Sequence, residues 1–431
     1  MKSLIGTVLH PASPARCEVI PNSVVRIGDD GKIVEVAPDN GQCDDRIGDS
    51  GCWILPGFID AHLHLPQWDR RGIDGLSLFE WLDYVVYPAE ARFKDPDVAE
   101  RLAESFVTGL IANGSTTAAV FGSPFAKATD RTFNVFSRRG FRAIHGMVLN
   151  DVNCPKPLCS SAEKALDESR ELAAKWHGAN GGLLQYAFSP RMVTCCSEKL
   201  MRGAATLADM MKCPIQTHIA ESPAEVSTVR DCFPDRLDDV EVLAEMGLLT
   251  SRALLGHGVC LTEAQRHQVA EARTAVVHCP TANLFLETGL MDYVAHRKAG
   301  IPIALGSSVA AGYEPFMPQV AVACLQTARA LKIHAFPRGA YAAPSAAEAW
   351  WLLTKGAAEA LRISDRVGLL APGREADCLV VRPEPWIADL PTEQQVSAML
   401  YTIRAHQIEH VFIAGRRVGP ESRGAGSAPT V

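Results

Sequence analysis

Apolar and polar residues alternate through the first 54 positions, where "SVVRIGDDGKIVEVAP" predicts two short strands around an Asp-Asp-Gly-Lys turn. The stretch after position 365 has the same texture, with "GREADCLVVRPE" and "IEHVFIAGRRV" as strands separated by turns. The two ends are therefore expected to pair into one small β-sandwich. Between them the rhythm changes to short apolar runs, each followed by polar residues and then a helical pattern. The runs are "GFIDAHLHL", "STTAAVF", "FRAIHGMVL", "LLQYAFSP", "PIQTHIA", "ALLGHGVC", "TAVVHCP" and "IPIALGS". Stretches such as "DPDVAERLAESFVTGLIANG" and "SAEKALDESRELAAKWH" supply the intervening helices, the first closing on a glycine. Eight strands alternating with helices predict a (β/α)8 TIM-like barrel of α/β class, whose strand C-termini share one mouth. The expected division is 1–54 and 366–431 for the sandwich and 55–365 for the barrel.

Composition narrows the partners. A formal charge of −7, with no basic run to offset it, disfavours nucleic acid and anionic membrane surfaces. No apolar stretch approaches the ~20 residues of a membrane span, and the start lacks a signal-peptide core, so the cytoplasm is the expected compartment. The 13 cysteines are odd in number and include no Cys-x-x-Cys pair. They read as reduced, mostly buried thiols.

Histidine placement changes the picture more. His62, His64, His218, His257 and His278 fall in or at the ends of expected strands. A lone strand histidine is commonly a satisfied core residue. His62 and His64, however, stand two apart on one strand, share a face, and can reach one metal ion. His218, at another strand end, could complete a three-imidazole set suited to zinc, with iron as an alternative.

Read in chain order, "PGFIDAHLHLPQW", "FSPRMVTCCSEKLM", "QTHIAES" and "GSSVAAGYEPFM" form a set that resembles the motifs of the amidohydrolase superfamily and, within it, of the guanine-deaminase branch. "PGFIDAHLHLPQW" resembles the first metal motif, and "LSLFEWLDYVVYPAEARF" the segment that follows it. "FSPRMVTCCSEKLM" resembles the guanine-binding arginine segment, and "QTHIAES" the third-histidine and glutamate motif. "LLGHGVCLT", "HCPTANLFLETGL" and "GSSVAAGYEPFM" follow in the family's order. The resemblance implies His62, His64 and His218 as ligands of Zn2+, and Glu221 as the proton shuttle. It implies His257 as a contact to the water or substrate, Arg191 as the holder of a purine oxygen, and Gln67 with Trp68 at the ring. Met192 stands where the family usually has phenylalanine, and a thioether can pack on a flat ring. His278 and Asn283 would shape the pocket. The implied reaction is hydrolytic deamination of guanine or a related aminopurine, by a homodimer. The His-x-Glu with Pro-Cys-x-x-Cys pattern of cytosine-type zinc deaminases is absent.

One position departs from the resemblance. The family ends its eighth strand with Gly-Thr-Asp or Gly-Ser-Asp, and that aspartate ligates the metal. Here "LGSSVAAGY" puts Ser308 at that place, and the nearest following acid is Glu314. A neutral hydroxyl is a poor ligand and cannot take a proton as a carboxylate does. The expectation is a slowed or altered deaminase. The alternatives are an inactive purine-binding relative, or an enzyme acting on another heterocycle such as a pterin or triazine.

Overall fold

The computed structural model describes residues 1–42, 45–335 and 341–419. Of the expected sandwich segments, positions 43–44 and 420–431 lie outside the described residues. Strands β1 (Lys2–Ser13), β2 (Arg16–Ile27), β3 (Ile33–Pro38) and β4 (Arg46–Pro56) come from the start of the chain. They join three late strands, Cys378–Val381, Ile408–Ile413 and Arg416–Val418, in one seven-stranded sheet. The sandwich thus takes the form of a single continuous sheet. β4 is its junction, parallel to β1 on one side and antiparallel to Cys378–Val381 on the other. Because strand side chains alternate between faces, Cys52 and Ile54 enter a small core with Leu4, Val25 and Phe412. Their neighbours Trp53 and Leu55 enter the main core of the molecule.

The barrel strands follow as β5 (Phe58–His64), β6 (Ser115–Phe121), β7 (Arg142–Gly146), β8 (Leu184–Tyr186), β9 (Ile215–Ile219), β10 (Ala253–His257), β11 (Ala275–His278) and β12 (Ile303–Leu305). All pair in parallel within two four-stranded runs. One seam is closed by Gln216 N–H donating to Phe188 O at 3.0 Å. The other is closed by Ser308 N–H to His62 O and His64 N–H to Val309 O, each 2.8 Å. The helix Pro96–Ala112 shows why the connecting segments are helical. The Asp95 side chain caps it by accepting from Asp97 N, and Ala99, Ala103, Phe106, Val107 and Leu110 bury one stripe. Gly114, at φ +76, then turns the chain into β6. Among the described residues no helix is long and apolar enough to cross a membrane.

β5 carries one irregularity that bears on the site. Its register against β6 slips between Asp60 and Leu63, so Ala61 and His62 stand opposite one partner residue. Such a bulge re-aims side chains where it occurs.

Candidate active site

β5 delivers Asp60, His62 and His64 to the barrel interior, all buried. Asp60 clamps the first strand to the end of the last: Ser307 donates to it through N–H at 3.0 Å and through Oγ at 2.5 Å. Burial pushes the Asp60 carboxyl up to about 6, with the Ser307 bonds pulling it down. That clamp fixes the loop carrying Ser308, whose side chain faces the cavity from a backbone at φ +48.

Four imidazoles converge at the mouth. The ring of His62 lies 5.0 Å from His64, 4.8 Å from His218 and 5.2 Å from His257, centre to centre. His218 Nδ1 sits 2.6 Å from the Arg191 carbonyl, which can only accept, so Nδ1 carries the proton and Nε2 keeps a lone pair. That Nε2 is 3.2 Å from His64 Nε2, while His62 Nε2 is buried with no hydrogen-bond partner. One ring nitrogen each from His62, His218 and His257 lies within 4.8 Å of the others. Burial lowers all four rings, His218 to about 4 and the others well below the ordinary histidine value, which leaves them neutral. Neutral, inward-facing nitrogens without partners are unfavourable on their own. They are the donor set that zinc or iron takes, so these residues could hold such an ion.

Glu221 lies just beyond β9 and before Ser222, the N-cap of helix Pro223–Cys232. It therefore stands outside that helix's first turn, and its carboxyl lines the cavity. Its Oε1 is 3.5 Å from His257 Nδ1. Burial, reinforced by Glu225, pushes the Glu221 carboxyl well above the ordinary range. Behind it, Glu225 accepts from Glu221 N–H at 2.6 Å. His257 ends β10 at φ +73, and Asn283 Nδ2 lies 3.0 Å from its Nδ1. Ala220, His257 and Ser308 all have left-handed backbone at strand ends, the kind of local strain that collects at functional sites.

The cavity at these groups is narrow, with an accessible volume of about 30 Å³. Gln67, Arg191 and Met192 line it. Trp68 does not. It follows Gln67 in a tight 3-10 turn, points away, and donates its indole N–H to Ser105 Oγ at 3.3 Å while stacking edge-on against Phe106. The indole at the cavity wall is that of Trp81, with Leu78, Leu82 and Val86 beside it. Sequence reasoning singled out none of these four. Their apolar spacing within "LFEWLDYVV" was the available signal. His278 is buried, outside the cavity lining, and pushed down to about 3 by that burial. Asn283 acts through His257 and does not line the cavity.

Glu90 was also missed. It is wholly buried and its Oε2 accepts a short charge-assisted bond from Arg191 Nη2. Burial opposes the Arg191 charge, but Glu90 outweighs it and raises the guanidinium further above its ordinary value. Burial also pushes the Glu90 carboxyl up, against the pull of Arg191. The pair is ionised, since arginine keeps its proton in proteins and a neutral Glu90 would leave that charge buried and alone.

The amidohydrolase family model matches residues 53–418. The chain is 32% identical over 437 residues to a probable guanine deaminase of Deinococcus radiodurans, covering 96% of this chain and 98% of that one. It superposes on a solved structure of E. coli guanine deaminase with a TM-score of 0.90 at 28% identity, covering 98% and 100% of the two chains. A solved adenosine deaminase from Xanthomonas campestris with bound zinc matches at a TM-score of 0.85 and 26% identity, covering 98% of this chain and 94% of that one.

Proposed function

This chain belongs to the amidohydrolase family, and from that premise we propose that it hydrolyses the exocyclic amine of guanine, giving xanthine and ammonia. The observation that carries the reading is a single cavity lined by His64, His218, His257, a buried carboxyl at Glu221 and a paired arginine at Arg191. His62, His64 and His218 would hold the ion, with zinc favoured by the imidazole donor set and iron as the alternative. When bound, that ion supplies the Lewis acidity that makes water a nucleophile near neutral pH.

The chain's own residues do the rest. Arg191 donates to the purine oxygen and Gln67 to the ring edge, which turns the carbon bearing the amine toward the histidines. Trp81, Leu82 and Val86 wall the ring from solvent, and Met192 packs on its face. Glu221 takes one proton from the attacking water and passes it to the ring nitrogen. It then takes the second proton from the newly added hydroxyl and hands it to the amine, which leaves as ammonia as that oxygen becomes the carbonyl. His257, steadied by Asn283, orients that water. Ser308 offers only a hydroxyl to the water, so proton acceptance falls on Glu221 and His257.

Ser308 favours a second reading, a relative that binds a purine with little turnover. The two separate on one assay: guanine loss and zinc content, side by side, for this chain, Ser308→Asp and Glu221→Gln. The deaminase reading expects turnover in the parent chain, an increase of about 10²–10⁴-fold for Ser308→Asp, and a fall of similar size for Glu221→Gln. Tight purine binding without product in the parent chain, even at high enzyme concentration, selects the second reading. If neither the parent nor Ser308→Asp acts on guanine, and a pterin or triazine is hydrolysed instead, the substrate assignment is wrong. The family resemblance also carries a role in purine breakdown, a cytoplasmic setting and a homodimer, which sedimentation would test directly.

A further inference from the structure

Glu90 has no part in the reaction just set out, yet it is as buried as any group in the site. It lies 101 positions from Arg191, its Oε2 takes the Arg191 Nη2 proton, and its other oxygen has no partner. Arg191 lines the cavity and Glu90 does not. A ligand therefore meets the guanidinium first, with the carboxylate standing behind it. The Tyr87 ring, 5.6 Å from the guanidinium carbon, covers a further side.

We infer that Glu90 renders the Arg191 subsite electrically neutral, so that it accepts the uncharged keto form of a purine and disfavours the anion formed when a ring N–H is lost. The inference rests on reading Arg191 as the donor to the purine oxygen. An unpaired guanidinium in an apolar cavity is a strong anion receptor. A carboxylate behind it cancels most of that field beyond a few ångströms and leaves the N–H groups free to bond a neutral carbonyl. Xanthine is more acidic than guanine and loses a ring proton in mildly alkaline solution, where guanine is still largely neutral. A neutral subsite would then hold the substrate while releasing the ionised product.

The other ionisable groups facing the guanidinium are Tyr87 on the same segment, Cys195 in the following turn, and His64 and His218 on the barrel strands. Burial holds the Tyr87 hydroxyl and the Cys195 thiol uncharged. The Glu90–Arg191 pair thus adds no net charge to this corner beyond that of an ion held by the neighbouring histidines, which is common to the parent and every variant. A change of pH across the first deprotonation of xanthine titrates the ligand and leaves the pair alone. Glu90 is a positioning residue in this scheme, acting through Arg191.

The test is calorimetry of xanthine binding to the metal-loaded protein on each side of that deprotonation, read as the ratio of anion to neutral affinity. Taking the ratio between variants cancels what the rest of the site contributes. The parent ratio, set in part by the bound ion, is the reference against which each variant is read. Glu90→Gln, which keeps the shape and removes the charge, should move the ratio toward the anion by about tenfold or more, given a unit charge acting over several ångströms at an effective dielectric near 20. Glu90→Asp keeps the charge and should keep the parent ratio while both affinities weaken. If Glu90→Gln does not fold, Arg191→Met combined with Glu90→Gln removes both charges and should also keep the parent ratio. Equal weakening of both ligand forms in Glu90→Gln, or a shift toward the anion in the double variant, overturns the inference. Guanine turnover alongside an unmoved ratio sinks this inference alone, whereas absence of both turnover and purine binding sinks the function proposed above.

Discussion

Ser308 occupies a backbone of φ +48, a region where aspartate and asparagine are several-fold enriched over other non-glycine residues. Its N–H is already bonded to His62 O, and Ser307 is anchored to Asp60. The loop is thus built to carry a carboxylate, and Ser308→Asp is expected to leave the melting temperature of the apoprotein within a few degrees while raising retained zinc. A second residue sets a pH dependence. Burial pushes the Glu225 carboxyl up to about 7. A carboxyl raised on folding contributes its stability below the ordinary carboxyl range and loses it as pH rises through the folded value. Between about pH 4.5 and 7 the parent chain should therefore lose on the order of 3 kcal/mol relative to Glu225→Gln, measured as urea stability at each pH. Parallel pH profiles for the two proteins would show the carboxyl is not buried as described. At this scale a repeated residue type at strand ends drew attention to His62, His64 and His218, whereas Glu221 was reached only through the family resemblance. Glu90, 101 positions from Arg191, was not legible, because its meaning is a tertiary contact. Trp68 misled because adjacent positions in the tight turn Leu65–Arg70 project in different directions.

Among elements, one buried cation ties the barrel to the end sheet alongside their shared apolar core. Arg142, opening β7, donates to Asp377 through Nε at 3.0 Å and Nη2 at 2.9 Å, and to Glu375 at 2.6 Å. Asp377 leads directly into the strand Cys378–Val381 and also accepts from Ala414 N–H at 2.8 Å. Arg142→Met would strand these carboxylates and is expected to cost about 3–5 kcal/mol in urea unfolding. Burial raises the Glu375 carboxyl, but Arg142 and Arg366 outweigh it, and the net effect is a lowered value. The stability this supplies is complete above the ordinary glutamate range and vanishes as pH falls through the lowered value. The penalty of Arg142→Met should accordingly shrink on acidification below about pH 4.5. A penalty constant down to pH 3 would mean the arginine acts by packing alone. The eight barrel strands were readable because each is a short apolar run between turn and helix signals. The slip between Asp60 and Leu63 was not, since register belongs to a pair of strands and no single run encodes it.

Over the whole molecule, the seven-stranded sheet draws its first four strands from before the barrel and its last three from after it. The shared alternating texture of the two ends made that pairing readable, whereas the fusion into one sheet with β4 at its junction emerged only from the hydrogen bonds. A chain stopped before Cys378 would leave the β4 edge unpaired and the small core of Leu4, Val25, Ile54 and Phe412 without its C-terminal wall. Such a fragment is expected to be insoluble, or to lack a cooperative melt by circular dichroism, and a soluble, cooperatively melting fragment would show that the barrel is self-sufficient. The same arrangement has a consequence in time. Pro56 leaves the ribosome more than three hundred positions ahead of Cys378, its partner. At roughly 5–20 residues per second, the nascent chain carries that open strand for about 15–60 s. During this interval a holding chaperone, and not the native partner, would be what keeps neighbouring ribosomes' products from pairing edge to edge.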